Sequence, residues 1–165
     1  MHFTNVNDLK TLVHDPERTI VFCHEPARFN DTKEHGVDFS YFAKSPRGFV
    51  PGFALEREIK QREGRNDLSQ EDLQRIAKSI GLTFHRENVG SEELRTVFDT
   101  IGVRYAVNGH IHESSHHAHS RTKIVAPDTV TQELFWNSGC FDYGLAGILV
   151  LNENGVQYRN IRWIE

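Results

Sequence analysis

Cysteine is scarce in this chain of 165 residues, and the two that occur, Cys23 and Cys140, stand far apart in the sequence. They form no C-x-x-C motif, and two such cysteines cannot make a disulfide framework. We therefore expect two free, buried thiols in a protein of the reducing cytosol.

Long apolar runs are also lacking, since none approaches the roughly 18 residues that a membrane span requires. The first residues, MHFTNVNDLK, contain no basic region followed by an apolar stretch, so no secretion signal is indicated. The net charge is -4, and no stripe of Lys and Arg alternates with aromatic residues, so nucleic acid is not indicated as a partner. The length of 165 residues predicts one domain, and 38% apolar with 25% charged residues is typical of a soluble globular protein, which we expect in the cytoplasm.

Two helices carry signals at both ends. Ser69 is a candidate N-cap for the first, which Gly81 ends, and Ser91 is a candidate N-cap for the second, which Gly102 ends. Both have acidic residues in the first turn, and both show apolar residues at the i, i+3, i+4, i+7 spacing of an amphipathic helix.

The remaining pattern consists of strands. TIVFC (19 to 23) and RYAVN (104 to 108) are short and apolar, as buried strands are, and a long ordered loop follows the first of them. Four further candidates close the chain: TKIVA (122 to 126), QELFWN (132 to 137), LAGILVLN (145 to 152) and VQYRNIRWI (156 to 164). Asn154-Gly155 predicts a hairpin between the last two. The order of elements predicts an α/β fold with a mixed β-sheet layered with helices, and Trp136 and Trp163 in its core.

Five of the ten histidines lie in the segment RYAVNGHIHESSHHAHS, residues 104 to 120. His110 and His112 follow a strand and Gly109, and His24 follows the strand TIVFC. Ligands at the carboxyl ends of strands are typical of open α/β sheets. If the segment stays extended, His110 and His112 share one face, whereas a loop would let them diverge onto two neighbouring metals. Imidazole alone does not select among Zn, Fe, Mn and Ni.

These residues resemble a known family. GHIH after a short strand, and an earlier strand that ends in a histidine followed by x-Pro, are similar to the last two motifs of the calcineurin-like metallophosphoesterases. The segment WNSGCFDYGLAGILVLNENGVQYRNI resembles the Asn-x-Gly segment and closing strands of that family. The resemblance covers about residues 17 to 27 and 103 to 161.

The resemblance implies hydrolysis of a phosphate ester by a metal-activated hydroxide. It makes His24 and His110 ligands of one divalent ion and His112 a ligand of a second. It also implies that the chain, as a single domain over residues 1 to 165, forms half of the family's β-sandwich, with a mostly helical insertion at about residues 29 to 90.

The family's first three motifs, Asp-x-His, Gly-Asp and Gly-Asn-His, are not found in this sequence. The chain is therefore expected to be the C-terminal half of the domain, holding one ion or none by itself, with no catalytic residue assigned. A complementary N-terminal half would be its partner. The alternative is a truncated, non-catalytic module that serves protein-protein contacts.

Other polar residues are candidates for a role in the site or for a structural role. Arg28 is a candidate for binding the substrate phosphate through its guanidinium, or forms a surface salt bridge. Asp38, Asp128 and Asp142 are the loop carboxylates that would have to replace the missing ligands. His116, His117 and His119 are expected in a solvated loop, and residues 137 to 139 in a structural turn beside the site.

Overall fold

The computed structural model describes residues 5 to 30, 36 to 46 and 48 to 163. The chain divides into two compact units, one made of Met1–Phe39 with Asn88–Glu165 and the other of Ser40–Glu87. The helices are α1 (Leu9–Leu12), α2 (Gly52–Glu63), α3 (Gln70–Ser79) and α4 (Glu92–Ile101). The strands are β1 (Ile20–Phe22), β2 (Phe39–Ser45), β3 (Gly48–Pro51), β4 (Thr83–Asn88), β5 (Tyr105–Asn108), β6 (Ala118–His119), β7 (Leu134–Asn137), β8 (Leu145–Asn152) and β9 (Gly155–Arg162). The protein is thus an α/β protein.

The first unit is built on a sheet with the strand order β1-β5-β7-β6. The strands β1, β5 and β7 run parallel, and the two-residue β6 pairs antiparallel with β7. Every residue of β5 and β7 is buried. Such strands are apolar throughout because both faces of the sheet are covered.

Helix α4 covers one face of this sheet. Its Leu94 and Phe98 pack in one cluster with Val21 of β1, Ala106 of β5 and Phe135 of β7. The side chain of Ser91 accepts a hydrogen bond from the Leu94 amide, as the sequence predicted for an N-cap. The helix ends at Gly102 in the left-handed conformation, so both of its predicted ends are confirmed.

The antiparallel hairpin of β8 and β9 covers the other face. Val156 and Tyr158 of the hairpin pack with Tyr105, Val107 and Trp136 of the sheet. The predicted hairpin is present, but its two turn residues are Glu153 and Asn154 rather than Asn154 and Gly155, and Gly155, with a positive φ of 130°, begins β9. A helix layer, a mixed sheet and a second sheet therefore lie on top of one another.

The insertion at about residues 29 to 90 was expected to be mostly helical, but the structure adds strands to the two helices of the second unit. Its sheet has the order β3-β2-β4, and α2 and α3 contribute Leu55, Ile59, Leu73 and Ala77 to a separate core with Ala43. Helix α2 was not predicted, because Pro51 at its start provides no side-chain cap. The two compact units divide at residues 40 and 87, inside the bounds of 29 and 90 expected for the insertion.

Two further predictions differ from the structure. Residues 122 to 126 form no strand: Val125 is buried, but Ile124 is 59% exposed and makes only an isolated bridge with His119. Trp163 is 44% exposed and packs on Phe141 at the surface, so its predicted core position was wrong, because β9 ends at Arg162. Among the described residues, no helix is both long enough and apolar enough to cross a membrane.

Candidate metal centre

The carboxyl ends of three neighbouring parallel strands meet at one edge of the first unit's sheet. β1 leads into His24, β5 into Gly109-His110, and β7 into Ser138-Gly139. The register pairs Phe22 with Val107, and Asn108 with Asn137. Parallel pairing thus brings segments that are far apart in the sequence to the same place, as predicted from the strand-end positions.

His24 and His110 are in direct contact. Nε2 of His24 lies 3.0 Å from Nδ1 of His110, and the ring centroids are 4.7 Å apart in an edge-to-face arrangement. The backbones are also joined, because the Gly109 amide donates to the His24 carbonyl at 3.2 Å. Both imidazoles are exposed, so the pair is open to a ligand from solvent.

The backbone turns sharply at His110. Its φ is +65°, a left-handed conformation that a non-glycine residue adopts at a cost of about 1 to 3 kcal/mol. The Ile111 amide donates to the Gly109 carbonyl at 2.7 Å, which closes a three-residue γ-turn with His110 at its centre. Strain of this kind is concentrated at functional sites, and here it accompanies the approach of His110 to His24.

Asn137, at the end of β7, holds this turn in place. Its side-chain amide donates to the Ile111 carbonyl at 2.8 Å and to the Gly109 carbonyl at 3.4 Å, one on each side of His110. Its Oδ1 accepts from the Gly139 amide at 3.0 Å. Because Asn137 is 1% exposed, these bonds face no competition from water. The structural turn expected at residues 137 to 139 is therefore present, and its Asn137 supports the His110 backbone.

The separation of the two nitrogens fits a shared metal ion. Two imidazole nitrogens that each lie about 2.05 Å from one ion are about 2.9 Å apart in octahedral and about 3.3 Å apart in tetrahedral geometry. The observed 3.0 Å lies within these limits, and it also fits a direct N–H···N hydrogen bond. Among the described residues, no group of three or more His, Cys, Asp or Glu side chains is placed to hold an ion.

His112 takes a different direction from the pair. It begins a 3-10 turn, His112–Ser114, and its exposed ring packs edge-to-face on Tyr143 with centroids 5.2 Å apart. This arrangement matches the looped alternative, in which His110 and His112 diverge. Glu113, which sequence reasoning did not select, is half-buried beside them. Burial raises its pKa, while the His112 and His110 imidazoles act in the opposite direction.

Cys23 precedes His24 but is not placed as a ligand. Its Sγ lies 3.9 Å from the Val107 carbonyl of β5, and burial, followed by the Glu25 carboxylate, raises the pKa of the thiol to about 12. Cys23 and Cys140 are both free, as the sequence predicted, but they are half-buried rather than buried.

Arg28 makes an ion pair with the first turn of α4. Its Nε lies 3.4 Å from Oε1 of Glu92, and the two side chains are 36% and 66% exposed. The Arg28 amide also donates to the Ser91 carbonyl at 3.1 Å. The surface salt bridge is thus present, and phosphate binding by Arg28 stays a prediction.

The prediction of a solvated loop for the last three histidines was wrong. The ring of His119 is fully buried between Phe29 and Phe135, at centroid distances of 4.7 and 5.9 Å. Burial lowers its pKa to about 4. The reason is that Ala118 and His119 form β6 at the edge of the sheet, which the run of polar residues around them concealed.

His116 and His117 are also engaged. Nε2 of His116 lies 2.9 Å from the Ala146 carbonyl at the start of β8, and burial lowers the pKa of His116. Nδ1 of His117 lies 3.2 Å from the Gly36 carbonyl. These two rings therefore link loops within the first unit.

Two of the loop carboxylates have structural partners. Asp38 is fully buried and accepts hydrogen bonds from the Phe29 amide and from Nδ2 of Asn88, and burial raises its pKa. Asp128 pairs with Arg159 at 2.8 Å. These contacts give both carboxylates a role away from His24 and His110.

Comparison of the chain with protein-family models, with curated proteins and with solved structures finds no match.

Proposed function

We propose that this chain supplies the histidine part of a metal-dependent phosphoesterase site. The observation that carries the proposal is the 3.0 Å contact between His24 and His110 at the carboxyl ends of adjacent parallel strands. The motifs that resemble the metallophosphoesterases are the ones that supply this pair. The remaining, carboxylate-bearing ligands come from a polypeptide segment outside these 165 residues.

The side chains have distinct roles in this site. His24 and His110 bind one divalent ion, Asn137 orients the His110 backbone, and His112 is available to a second ion on the side of Tyr143. Zn, Mn, Fe and Ni are all compatible with imidazole ligands. An ion bound there supplies a Lewis acid for a phosphoryl oxygen and lowers the pKa of a bound water. Arg28 is the candidate contact for the phosphate group.

Metal binding by the chain alone tests the first half of the proposal. We expect titration with Co²⁺ or Mn²⁺, followed by calorimetry, to show about one ion per chain. His24→Ala and His110→Ala should each abolish binding, because one imidazole alone is a weak site. His14→Ala, which removes an exposed histidine of another segment, is the matched control and should bind as the wild type does. Equal binding by wild type and His110→Ala would contradict the proposal.

Hydrolysis tests the second half. Mn²⁺-dependent cleavage of an aryl phosphodiester should occur when the chain is mixed with a polypeptide that carries the three missing motifs. His110→Ala in the same mixture should be inactive. If metal binds at the pair but the mixture does not hydrolyse the ester, the non-catalytic module is the correct interpretation.

A further inference from the structure

We propose that two copies of this chain form a dimer through the free edge of β8, with the two β8 strands antiparallel about a two-fold axis at Leu149. The sheet of β8 and β9 has two strands, so β8 is terminal in it. The contact surface belongs to the hairpin and not to the His24–His110 pair, so this inference does not depend on the proposed function.

Three residues of β8 have backbone groups that face the free edge. Val156 of β9 exchanges both of its backbone hydrogen bonds with Thr131, on the side of β9 away from β8. Its partner in register, Leu151, is therefore not hydrogen-bonded to it, and the N–H and C=O of Leu151 point to the opposite edge. Because this direction alternates along a strand, the groups of Leu149 and Gly147 face the same edge. Among the described residues, these groups have no backbone partner.

The edge lacks two of the usual protections against pairing with another strand. From Leu145 to Asn152 the strand contains no charged residue and no proline, whereas β9 carries Arg159 and Arg162. An apolar edge with free N–H and C=O groups is a template for a further strand.

One register pairs all of these backbone groups between two copies. With the axis at Leu149, the two Leu149 residues oppose each other, and Gly147 opposes Leu151 of the second copy. A shift in one direction would place Gly147 opposite the turn residue Glu153. A shift in the other would place Leu151 opposite Leu145, whose amide already donates to the Cys140 carbonyl. The edge is therefore complementary to itself, as a two-fold interface requires.

The apolar side chains match in the same register. Gly147 lies against the Trp136 ring and Leu149 packs on the sheet of the first unit. Ile148 and Val150 therefore point to the opposite face, where they are 48% and 40% exposed. Ile148 comes opposite Val150 of the second copy, and the symmetry produces this pair twice. Such cross-strand apolar pairs stabilise antiparallel sheets.

The charges at the ends of the interface are complementary. Glu153 comes opposite Leu145 of the second copy, and the neighbour of Leu145 on β9 is Arg162. Both charged side chains are exposed. Two strand spacings, about 10 Å, separate the two backbones, a distance that an extended glutamate and an extended arginine bridge together. The symmetry gives two such ion pairs, and they favour a second copy of the chain as the occupant of this edge.

Light scattering after gel filtration, over a range of protein concentrations, measures the association. Ile148→Lys and Val150→Lys each place a charge at the apolar pair. Val89→Lys is the matched control, because Val89 is 45% exposed and lies between β4 and α4. We expect the wild type and the control to dimerise alike, and each edge variant to dimerise at least about tenfold more weakly. Circular dichroism checks that every variant is folded.

A charge exchange tests the ion pairs. Glu153→Arg alone and Arg162→Glu alone should each weaken the dimer by about threefold to tenfold, because attraction becomes repulsion at both ends. The double variant Glu153→Arg/Arg162→Glu should restore the affinity of the wild type, since the pairs are then reversed and not lost.

Cross-linking tests the register. Ile148→Cys and Val150→Cys chains, mixed and mildly oxidised, should form disulfide-linked heterodimers, because these positions oppose each other. Each variant by itself should cross-link much less, and the wild type supplies the background from its half-buried cysteines. A wild type that stays monomeric at every concentration, or a dimer that neither lysine variant weakens, would overturn the inference. So would a mixture that cross-links no better than its components.

Discussion

Asn137 is the residue on which the His110 turn depends most directly. We predict that Asn137→Asp destabilises the protein by about 2 to 4 kcal/mol, because a carboxylate cannot donate to the buried Ile111 and Gly109 carbonyls. We also predict a loss of metal affinity of about 10-fold to 100-fold, as is usual when a group that orients a ligand is removed. Urea unfolding and metal titration measure the two effects.

Asn152→Asp is the matched control for this change. Asn152 accepts a hydrogen bond from the Asn154 amide through its side-chain oxygen, a role that a carboxylate keeps, and its side chain is exposed. It should alter neither stability nor affinity appreciably. An Asn137→Asp protein with wild-type metal affinity would show that the turn forms without this support.

His119 makes stability depend on pH. Its pKa falls from 6.5 to about 4 on folding, mainly because burial disfavours the imidazolium, although the hydrogen bond to the Ser120 carbonyl opposes this. The unfolded chain therefore binds more protons than the folded one between these values. The contribution of His119 to the free energy of unfolding is fully present above pH 6.5. It decreases by about 3 kcal/mol as the pH drops towards 4. His116, whose pKa is also lowered, acts in the same direction.

We predict that His119→Leu removes this part of the acid destabilisation. Its ring nitrogen Nε2 is buried with no hydrogen-bond partner among the described residues, so an apolar side chain of similar volume fits the site. Urea unfolding at pH 7 and pH 4.5 should show a smaller difference for the variant than for the wild type. Identical pH profiles would mean that His119 is protonated in the folded state or reached by water.

The β8–β9 hairpin is positioned on the sheet by a close approach at Gly147. A Cβ atom at this position would overlap the ring of Trp136 and press on the Arg159 carbonyl. We predict that Gly147→Ala destabilises the protein by about 1 to 3 kcal/mol, because the buried indole has no room to move. Thermal unfolding measures the effect, and Trp136 fluorescence reports the displaced ring.

Ile148→Ala on the same strand is the control for Gly147→Ala. Ile148 is on the opposite face of β8 and is 48% exposed, so its truncation should cost less than about 1 kcal/mol. A larger loss from Ile148→Ala than from Gly147→Ala would mean that the hairpin rests on the sheet through its other face.

Elements with local signals were predictable from the sequence, and elements without them were not. The caps Ser69 and Ser91 fix α3 and α4, and the turn at Glu153-Asn154, one residue before its predicted position, fixes the hairpin, in each case through contacts within a few residues. Helix α2 has no N-terminal cap, and residues 122 to 126 have strand composition but no strand beside them over their length. Such elements depend on tertiary packing, which a local pattern does not contain.

The features of the site also divide into those that the sequence predicted and those that it did not. The meeting of His24 and His110 was predictable, because residues after neighbouring parallel strands must converge. The support by Asn137 and the burial of His119 were not, since each depends on the pairing of β7 with its neighbours. Glu113 had a signal in its position next to His112, but its burial became known only from the fold.

The balance of charge at the His24–His110 pair limits how many divalent ions can bind there. Two divalent ions about 4 Å apart repel by about 17 kcal/mol even at an effective dielectric near 20. Neutral imidazoles do not offset this repulsion, and the described residues place no cluster with carboxylates at the pair. Carboxylates that neutralise and bridge the ions are therefore needed before a second ion can bind at this edge of the sheet.

We predict that the purified chain of 165 residues binds at most about one divalent ion at this locus and does not hydrolyse aryl phosphodiesters at a useful rate. With a single ion, one of the two oxygens in the displacement loses its electrostatic partner, and losing a comparable stabilising group costs about 10² to 10³ in rate. The absence of an acid catalyst costs a further factor of about 10² to 10⁴, although the two losses need not multiply. Mn²⁺-dependent hydrolysis measured with and without a polypeptide carrying the missing motifs should show turnover in the mixture only, together with uptake of a second ion. Turnover by the chain alone that disappears in His110→Ala would show that this set of histidines suffices for catalysis.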